Sequence, residues 1–572
     1  MLQHPSVHAS DLSQPPAILV VDEDLAELER TMLDLGRRFG HDYRVAAASS
    51  AFEGLAMLDQ LAADGTPVAL VLAELQMTAM DGPTFLDAAH RLHRDARRLL
   101  LVTMSKRGIN PRENGRQLLQ SAISLGRADR WIAKGWVSPE EWFYPQIQSA
   151  LTEWACSHLP RKEVVRVVGT LWDPATHQLR DILNRNVVPH GFYEADTPEA
   201  EGLLASVGAS DASLPVAIFA DRFFLANPRP VEVAAALETQ TAPADRVYDL
   251  VILGAGPAGL AAAVYGASEG LDTLVVEPLA LGGQAGMSAS IRNYLGFPQG
   301  IPGNTLTARA YEQALLFGAN FLFMQEAVAL WWAEDHFHIR MSDCVPARAR
   351  SVILAIGMRY RRRGIPDLDR LIGAGVYYGS ASVEAPAMRG QDVFVIGGAN
   401  SAAQAAIHLA RFANKVTMLV RTDTLVSSMS HYLIEQIEAT SNIEVKFQHQ
   451  VVGAKGEHRL ETLTIRSSVT GETQSVPTAG VFILIGAESC TEWLRGTVEM
   501  DEQGFIRTGR DVSLTDWPLE RKPSAFETSL PGLFAVGDTR YRAVNRVASA
   551  VGEGSVAVGS VHRWIAELPS KT

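Results

Sequence analysis

Sulfur is what this chain has least of. Three cysteines, Cys156, Cys344 and Cys490, serve 572 residues, and no two stand at C-x-x-C spacing. That excludes a disulfide framework, a local dithiol relay and a cysteine-built zinc site. Nothing beside them marks an activated thiolate. Long apolar runs are also missing, so no membrane association is expected. The opening Met1–Pro16 is polar and lacks the cationic and apolar blocks of a signal peptide. It reads as a disordered tail, and the expected compartment is the cytoplasm. Basic residues are outnumbered, 51 against 64 acidic ones, for a formal charge of -13. A nucleic-acid partner needs a clustered basic surface, so none is expected. What is present is ordinary: 47% hydrophobic and 20% charged residues, enough for each of several domains to build a core.

The most informative stretch is Asp249-Leu-Val-Ile-Leu-Gly-Ala-Gly-Pro-Ala-Gly-Leu260. An apolar run predicts a buried parallel strand that stops at Gly254. Gly254, Gly256 and Gly259 then follow G-x-G-x-x-G spacing, around Pro257 and Ala258, and open a helix of small residues. Such glycines allow a tight turn, backbone approach to a pyrophosphate, and close helix–strand packing. The helix N-terminus offers free N–H groups to the phosphates. A second strand ends at Glu277, about 20 positions on, where an acid holds ribose hydroxyls. The pattern is a dinucleotide site.

From the N-terminus, Ala17–Val21, Val68–Leu72 and Leu99–Thr103 are apolar strands with helical patterns between them, an alternation that predicts a parallel α/β domain. Residues 17–155 resemble a response-regulator receiver, a flavodoxin-like fold. Asp22 and Glu23 match the magnesium-binding acids, Thr103 the hydroxyl after the fourth strand, and Lys134 the lysine after the fifth. The phosphoacceptor position holds Glu74 instead of aspartate. Its carboxylate reaches one methylene further, so the resemblance implies a receiver held in one state. No firm metal site is read; Asp22, Glu23 and Glu74 are the candidate for magnesium. A linker follows at Pro160–Lys162, and a second is expected at Thr239–Arg246. Between them, residues 163–238 resemble a thioredoxin- or glutaredoxin-type domain, with Leu214-Pro215 matching its cis-proline. Where that family has Cys-Pro-x-Cys, this chain has Asp173-Pro174-Ala175-Thr176. Without a thiolate there is no thiol–disulfide exchange; a spacer or docking role is expected.

After Glu277 come Gly282-Gly283-Gln284 and Asn293, and near the end Gly537-Asp538 and Arg546-Val547-Ala548. These motifs, in this order, resemble thioredoxin reductase and its flavoprotein relatives, so the rest is expected to be a thioredoxin-reductase-like pair of Rossmann-type domains. Residues 247–365 and 488–572 would bind FAD through Gly254, Gly256, Pro257, Ala258, Gly259, Glu277, Gly283, Gln284, Asn293, Gly537, Asp538 and Arg546–Ala548. Residues 366–487 form the NAD(P)-binding-like insert, with Gly397, Gly398, Ala399, Asn400 and Ser401 in its turn and Arg421 after its second strand. Ala399 replaces a glycine and crowds the pyrophosphate. Arg421 tilts the donor to NADPH over NADH, opposed by Asp423. The resemblance also implies a homodimer.

The family's redox cysteines fall at Gly379 and Ser382, and the following acid at Val383. Thioredoxin reductase activity is therefore expected to be absent. Three readings stay open. The first is an NAD(P)H-dependent flavin oxidoreductase passing electrons to a non-disulfide small molecule or protein acceptor. The second is a nicotinamide-independent flavin oxidase acting on a specialised small molecule. The third is a FAD-loaded sensor or scaffold. Tyr377 and Tyr378, beside the missing cysteines, are the only candidates for proton donors.

Overall fold

The computed structural model describes residues 14–105, 108–109, 115–158, 163–220, 223–288, 290–297, 300–362, 364–379 and 384–569. Two compact units result: 1–162 together with His431–Ala439, and 163–430 together with 440–572. Among the described residues no helix is long and apolar enough to cross a membrane. The expected linker at Pro160–Lys162 and most of the N-terminal tail lie outside the described residues.

In the first unit, five parallel strands lie in the order Arg44–Ala48, Ala17–Val21, Val68–Glu74, Arg97–Val102 and Arg130–Ala133. Ala17–Val21 is buried along its whole length, as a strand covered on both faces must be. In a doubly wound order of this kind, functional groups collect beyond the carboxyl ends of the strands. Asp22, Glu74, Thr103 and Lys134 all sit there.

The second unit opens with a four-stranded sheet ordered Phe223–Ala226, Val216–Phe219, Val165–Gly169, His190–Glu194. The peptide bond Leu214–Pro215 is cis. Helix Pro174–Arg185 starts at Asp173, whose carboxylate accepts from the Thr176 N–H at 2.8 Å and the Thr176 hydroxyl at 2.9 Å. Asp173 and Pro174 thus form a strong helix start, an N-cap followed by proline. The expected linker Thr239–Arg246 is tied down: the Gln240 carbonyl accepts from the Phe323 N–H at 3.1 Å.

Next comes a seven-stranded sheet. Asn320–Phe323, Thr273–Glu277, Val247–Leu253 and Ala347–Leu354 run parallel, joined by Leu533–Ala535. An antiparallel hairpin, Ala327–Ala333 and His336–Met341, extends it. Helices Pro257–Ser268 and Val547–Glu567 pack so closely that a side chain at Gly554 would run into the Ala258 carbonyl. Inserted in the chain is a five-stranded parallel sheet, ordered Val376–Tyr378, Gly480–Ile483, Asp392–Ile396, Lys415–Val420, Ile443–Phe447. Strands Met358–Tyr360 and Ala487–Ser489 pair where the chain enters and leaves it.

Candidate active site: two cavities and an absent dithiol

The first glycine turn borders a cavity of about 550 Å³. Gly254 has φ +104°, and a Cβ there would meet the Ala355 carbonyl. Gly256 faces open space, with nothing within 4 Å of the place its Cβ would occupy. That is the bare backbone a pyrophosphate requires. Pro257, Ala258, Gly283, Gln284, Arg546 and Val547 also line the cavity. Gly259 does not; it holds the helix against the Gly254 carbonyl. Ala548 and Asn293 are likewise absent from the lining, and Asn293 is exposed on its loop.

Three carboxyl-bearing residues line this space: Glu326, and the expected Glu277 and Asp538. Glu277 is buried and accepts from the N–H groups of Ala255, Leu279 and Ala280 at 2.8, 2.9 and 3.0 Å. It braces the turn as much as it faces the cavity. Its Oε2, with one N–H bound, keeps a lone pair for a hydroxyl. Burial pushes its carboxyl above the usual range. Asp538, at the end of strand Leu533–Ala535, is pushed up to about 6 by burial and by the nearby Glu553 charge. Glu553 itself accepts from the Gly537 N–H at 2.7 Å and from Arg540 at 2.9 Å, which fixes the Gly537 turn.

Several lining residues were not read from the sequence. Ala355, Ile356 and Gly357 follow the buried run Val352–Leu354; that strand ending on glycine was the available signal. Tyr360 and Cys490 have no such local signal. Burial raises the Cys490 thiol, so it is held protonated.

A second cavity of about 470 Å³ is lined by Gly397, Gly398 and Ala399, with Arg421 beside them. Ala399 adopts φ -108° and ψ 178°, backbone that any residue can take, and precedes helix Asn400–Leu409. Asn400 is spent on structure, accepting from the Ser430 N–H at 2.8 Å. Ser401 lines the first cavity instead. Arg361 and Arg362 join Arg421 around the second cavity, whereas Asp423 is not among its lining residues. Ala399, Leu484 and Gly486 border both cavities. The two sites are neighbours.

At the expected redox position, Gly379 holds φ +101°, and a Cβ there would lie 2.6 Å from Cε2 of Tyr360. The Tyr360 ring fills the space a cysteine side chain would enter. Ser382 and Val383 lie outside the described residues. Neither Tyr377 nor Tyr378 lines the first cavity. Tyr377 is buried between His177 and Phe482, with ring centroids 5.2 and 5.1 Å away, and burial raises its phenol. Packing accounts for it. His177 comes from the four-stranded domain, and its Nδ1 also lies 3.4 Å from Glu384.

The acidic cluster of the first unit is arranged around a lysine. Lys134 Nζ lies 2.5 Å from Asp22 and 2.9 Å from Glu74. Glu23 turns to Thr78, accepting from its N–H at 2.8 Å and its hydroxyl at 2.7 Å. Among the described residues, the three carboxylates do not come together as a cation-binding group. The Lys134 ammonium pairs with both Asp22 and Glu74. Burial, with the Asp22 carboxylate beside it, pushes Glu74 up to about 7 against the pull of Lys134.

The C-terminal part is similar to known proteins. A model of the pyridine nucleotide-disulphide oxidoreductase family matches residues 248–554. Thioredoxin reductase of Mycolicibacterium smegmatis is 34% identical over 322 residues, 56% of this chain and 97% of that protein. The Bacillus subtilis (strain 168) thioredoxin reductase is 32% identical over 328 residues, 57% of this chain and 96% of that protein. The structure of Lactococcus lactis thioredoxin reductase covers 56% of this chain and 100% of its own length, at 28% identity and TM-score 0.50. With paired Rossmann-type sheets, a glycine turn at each cavity and this continuous match, the chain belongs to the pyridine nucleotide-disulphide oxidoreductase family.

Proposed function

We propose that this protein is a FAD-dependent oxidoreductase that takes electrons from NADPH and passes them to an acceptor other than a disulfide. The observation that carries this reading is Tyr360 filling the place of the first redox sulfur at Gly379. Bound FAD would supply the hydride chemistry. Gly256 and the N-terminus of helix Pro257–Ser268 would hold its pyrophosphate, and Glu277 and Asp538 its sugar and ribityl hydroxyls. The second cavity would hold the nicotinamide nucleotide, with Arg361, Arg362 and Arg421 favouring the extra phosphate of NADPH. The residues shared by the two cavities support hydride transfer between them. Tyr360, whose phenol is raised by burial, closes the first cavity on the side where a dithiol would sit.

The two front domains fit the same reading. The first is receiver-like, with Lys134 already paired to the glutamate at the phosphoacceptor position. The second is thioredoxin-like, with a helix cap in place of its thiols. The acceptor is a small molecule or a redox protein, and a homodimer is the assembly the resemblance implies.

Anaerobic titration of the FAD-loaded protein tests this. NADPH is expected to bleach the oxidised-flavin absorbance, and NADH to do so at least about 10-fold less effectively, since one lost charged contact costs about 1.5–3 kcal/mol. Thioredoxin and oxidised dithiol reagents should remain unreduced. No bleaching by either nucleotide, with dithionite still reducing the flavin, would sink the proposal.

A further inference from the structure

The hairpin Ala327–Ala333 and His336–Met341 turns through Glu334 and Asp335, at φ +52° and +62°. Positive φ at both central residues is the two-residue turn that matches strand twist. Along the second strand, His336 and His338 are two apart and share a face, while Phe337 points into the core and is fully buried. His336 is 7% exposed. Its Nδ1 lies 2.7 Å from the Glu334 carbonyl. A carbonyl only accepts, so Nδ1 carries the proton and Nε2 presents a lone pair. That Nε2 is buried and has no hydrogen-bond partner, and the same is true of Nε2 of His338. The two rings lie 4.4 Å apart, and Trp331, paired with His338 across the hairpin, stacks on it at 5.4 Å and 5°.

Two buried imidazole Nε2 atoms with no hydrogen-bond partner are an unusual thing for a fold to leave. The Glu334 carboxylate supplies a third ligand: one atom from each of Glu334, His336 and His338 lies within 4.8 Å of the others. Zinc bonds of about 2.0–2.2 Å hold tetrahedral ligand atoms about 3.4 Å apart, so binding would draw the three closer together. We propose that this hairpin binds a divalent transition-metal ion of the zinc class through His336, His338 and Glu334, with water in the remaining position. Two neutral imidazoles and one carboxylate select zinc-like ions over magnesium or calcium, which take oxygen ligands. The His336 hydrogen bond to the Glu334 carbonyl fixes the tautomer, and Trp331 fixes the second ring, as outer partners do at metal histidines. Ala327, at the other end of the same strand, lines the first cavity. Six residues of strand separate it from the turn, roughly 20 Å at about 3.3 Å per residue. The ion therefore clips the hairpin and takes no part in flavin chemistry.

Calorimetric titration of the full-length, chelator-treated protein with zinc chloride tests the site. The chain has 15 histidines, so the decisive quantity is one tight equivalent. Wild type is expected to bind it, and His338→Gln and Glu334→Gln to lose it or weaken it at least about 10-fold, as loss of a metal's supporting groups does. Glu334 is exposed, so Glu334→Gln keeps the test valid if the histidine variant misfolds. Cobalt(II) should give tetrahedral absorption to the red of the flavin in wild type alone. Superimposable zinc isotherms for wild type and Glu334→Gln, or no tight equivalent in wild type, would overturn the assignment.

Discussion

Glu74 places a titratable carboxyl beside a lysine that another acid already neutralises. Its pKa of about 7, against the ordinary 4.5, comes first from burial and then from Asp22. Between these values the folded chain keeps a proton that the unfolded chain has lost. Stability from this group is fully present below about pH 4.5 and is lost as pH rises through about 7. The carboxyl is only partly buried, so screening leaves an effect of about 1–2 kcal/mol. In pH-resolved thermal melting of the full chain, the first unit should therefore lose stability between pH 5 and pH 8. Glu74→Gln, which cannot ionise, should show a smaller loss, its advantage over wild type growing with pH. A wild-type-to-variant gap that is equal at pH 5 and pH 8 would refute the assignment. The proposed single-state receiver rests on this pairing of Glu74 with Lys134.

Arg361 and Arg362 act at the scale of a connecting segment. They follow the short strand Met358–Tyr360, before the inserted domain begins, yet reach the cavity that Arg421 borders. Arginine suits phosphate because its planar fork donates two parallel bonds. Replacing Arg361 and Arg421 together by alanine should weaken NADPH binding at least about 100-fold and alter NADH binding by less than about 3-fold, read by stopped-flow flavin reduction; two charge-assisted bonds at about 1.5–3 kcal/mol each are worth that much. Equal losses for both nucleotides would mean the arginines do not read the extra phosphate. These residues also show where the sequence was silent. Glycine spacing, strand hydrophobicity and Glu277 are local patterns, and each led to the first cavity. The parallel sheets followed from the same alternation of apolar runs and helices. Arg361, Tyr360 and Cys490 reach their cavities only through the crossing of two distant segments, Met358–Tyr360 and Ala487–Ser489. Nothing within a short window announces that crossing. Asn293 differs in the opposite sense: its motif is clear in the sequence, yet it is exposed on its loop and does not border the first cavity.

At the scale of the second unit, the four-stranded domain touches both nucleotide-binding parts. Toward the first, the Asn186 side chain donates to the Leu279 carbonyl at 3.2 Å and accepts from the Leu281 N–H at 3.4 Å. Toward the inserted domain, His177 pairs with Glu384 at 3.4 Å, and Arg459 lies over the Trp172 ring at 5.5 Å. A side chain at Gly373 would meet Pro174 at 3.0 Å. The start of helix Pro174–Arg185 is thus packed against the inserted domain, with His177 beside Tyr377. The chain enters and leaves the inserted domain near Ile365-Pro366 and Gly486–Cys490, where a hinge would lie, and a body bound to both sides of a hinge restrains it. Inter-domain contacts are ordinarily weak enough to permit motion, so a few polar links decide the outcome. Removing Asn186 and His177 together deletes about three such links at about 0.5–1.5 kcal/mol each, enough to move an open–closed equilibrium by about 10-fold or more. His177→Ala/Asn186→Ala should therefore expose the flavin, seen as a rise of at least about 2-fold in iodide quenching of flavin fluorescence, with the melting of the first unit unchanged. If quenching matches wild type, with and without NADP⁺, the domain is a spacer and the orientation of the two nucleotide-binding parts is set by their own contacts.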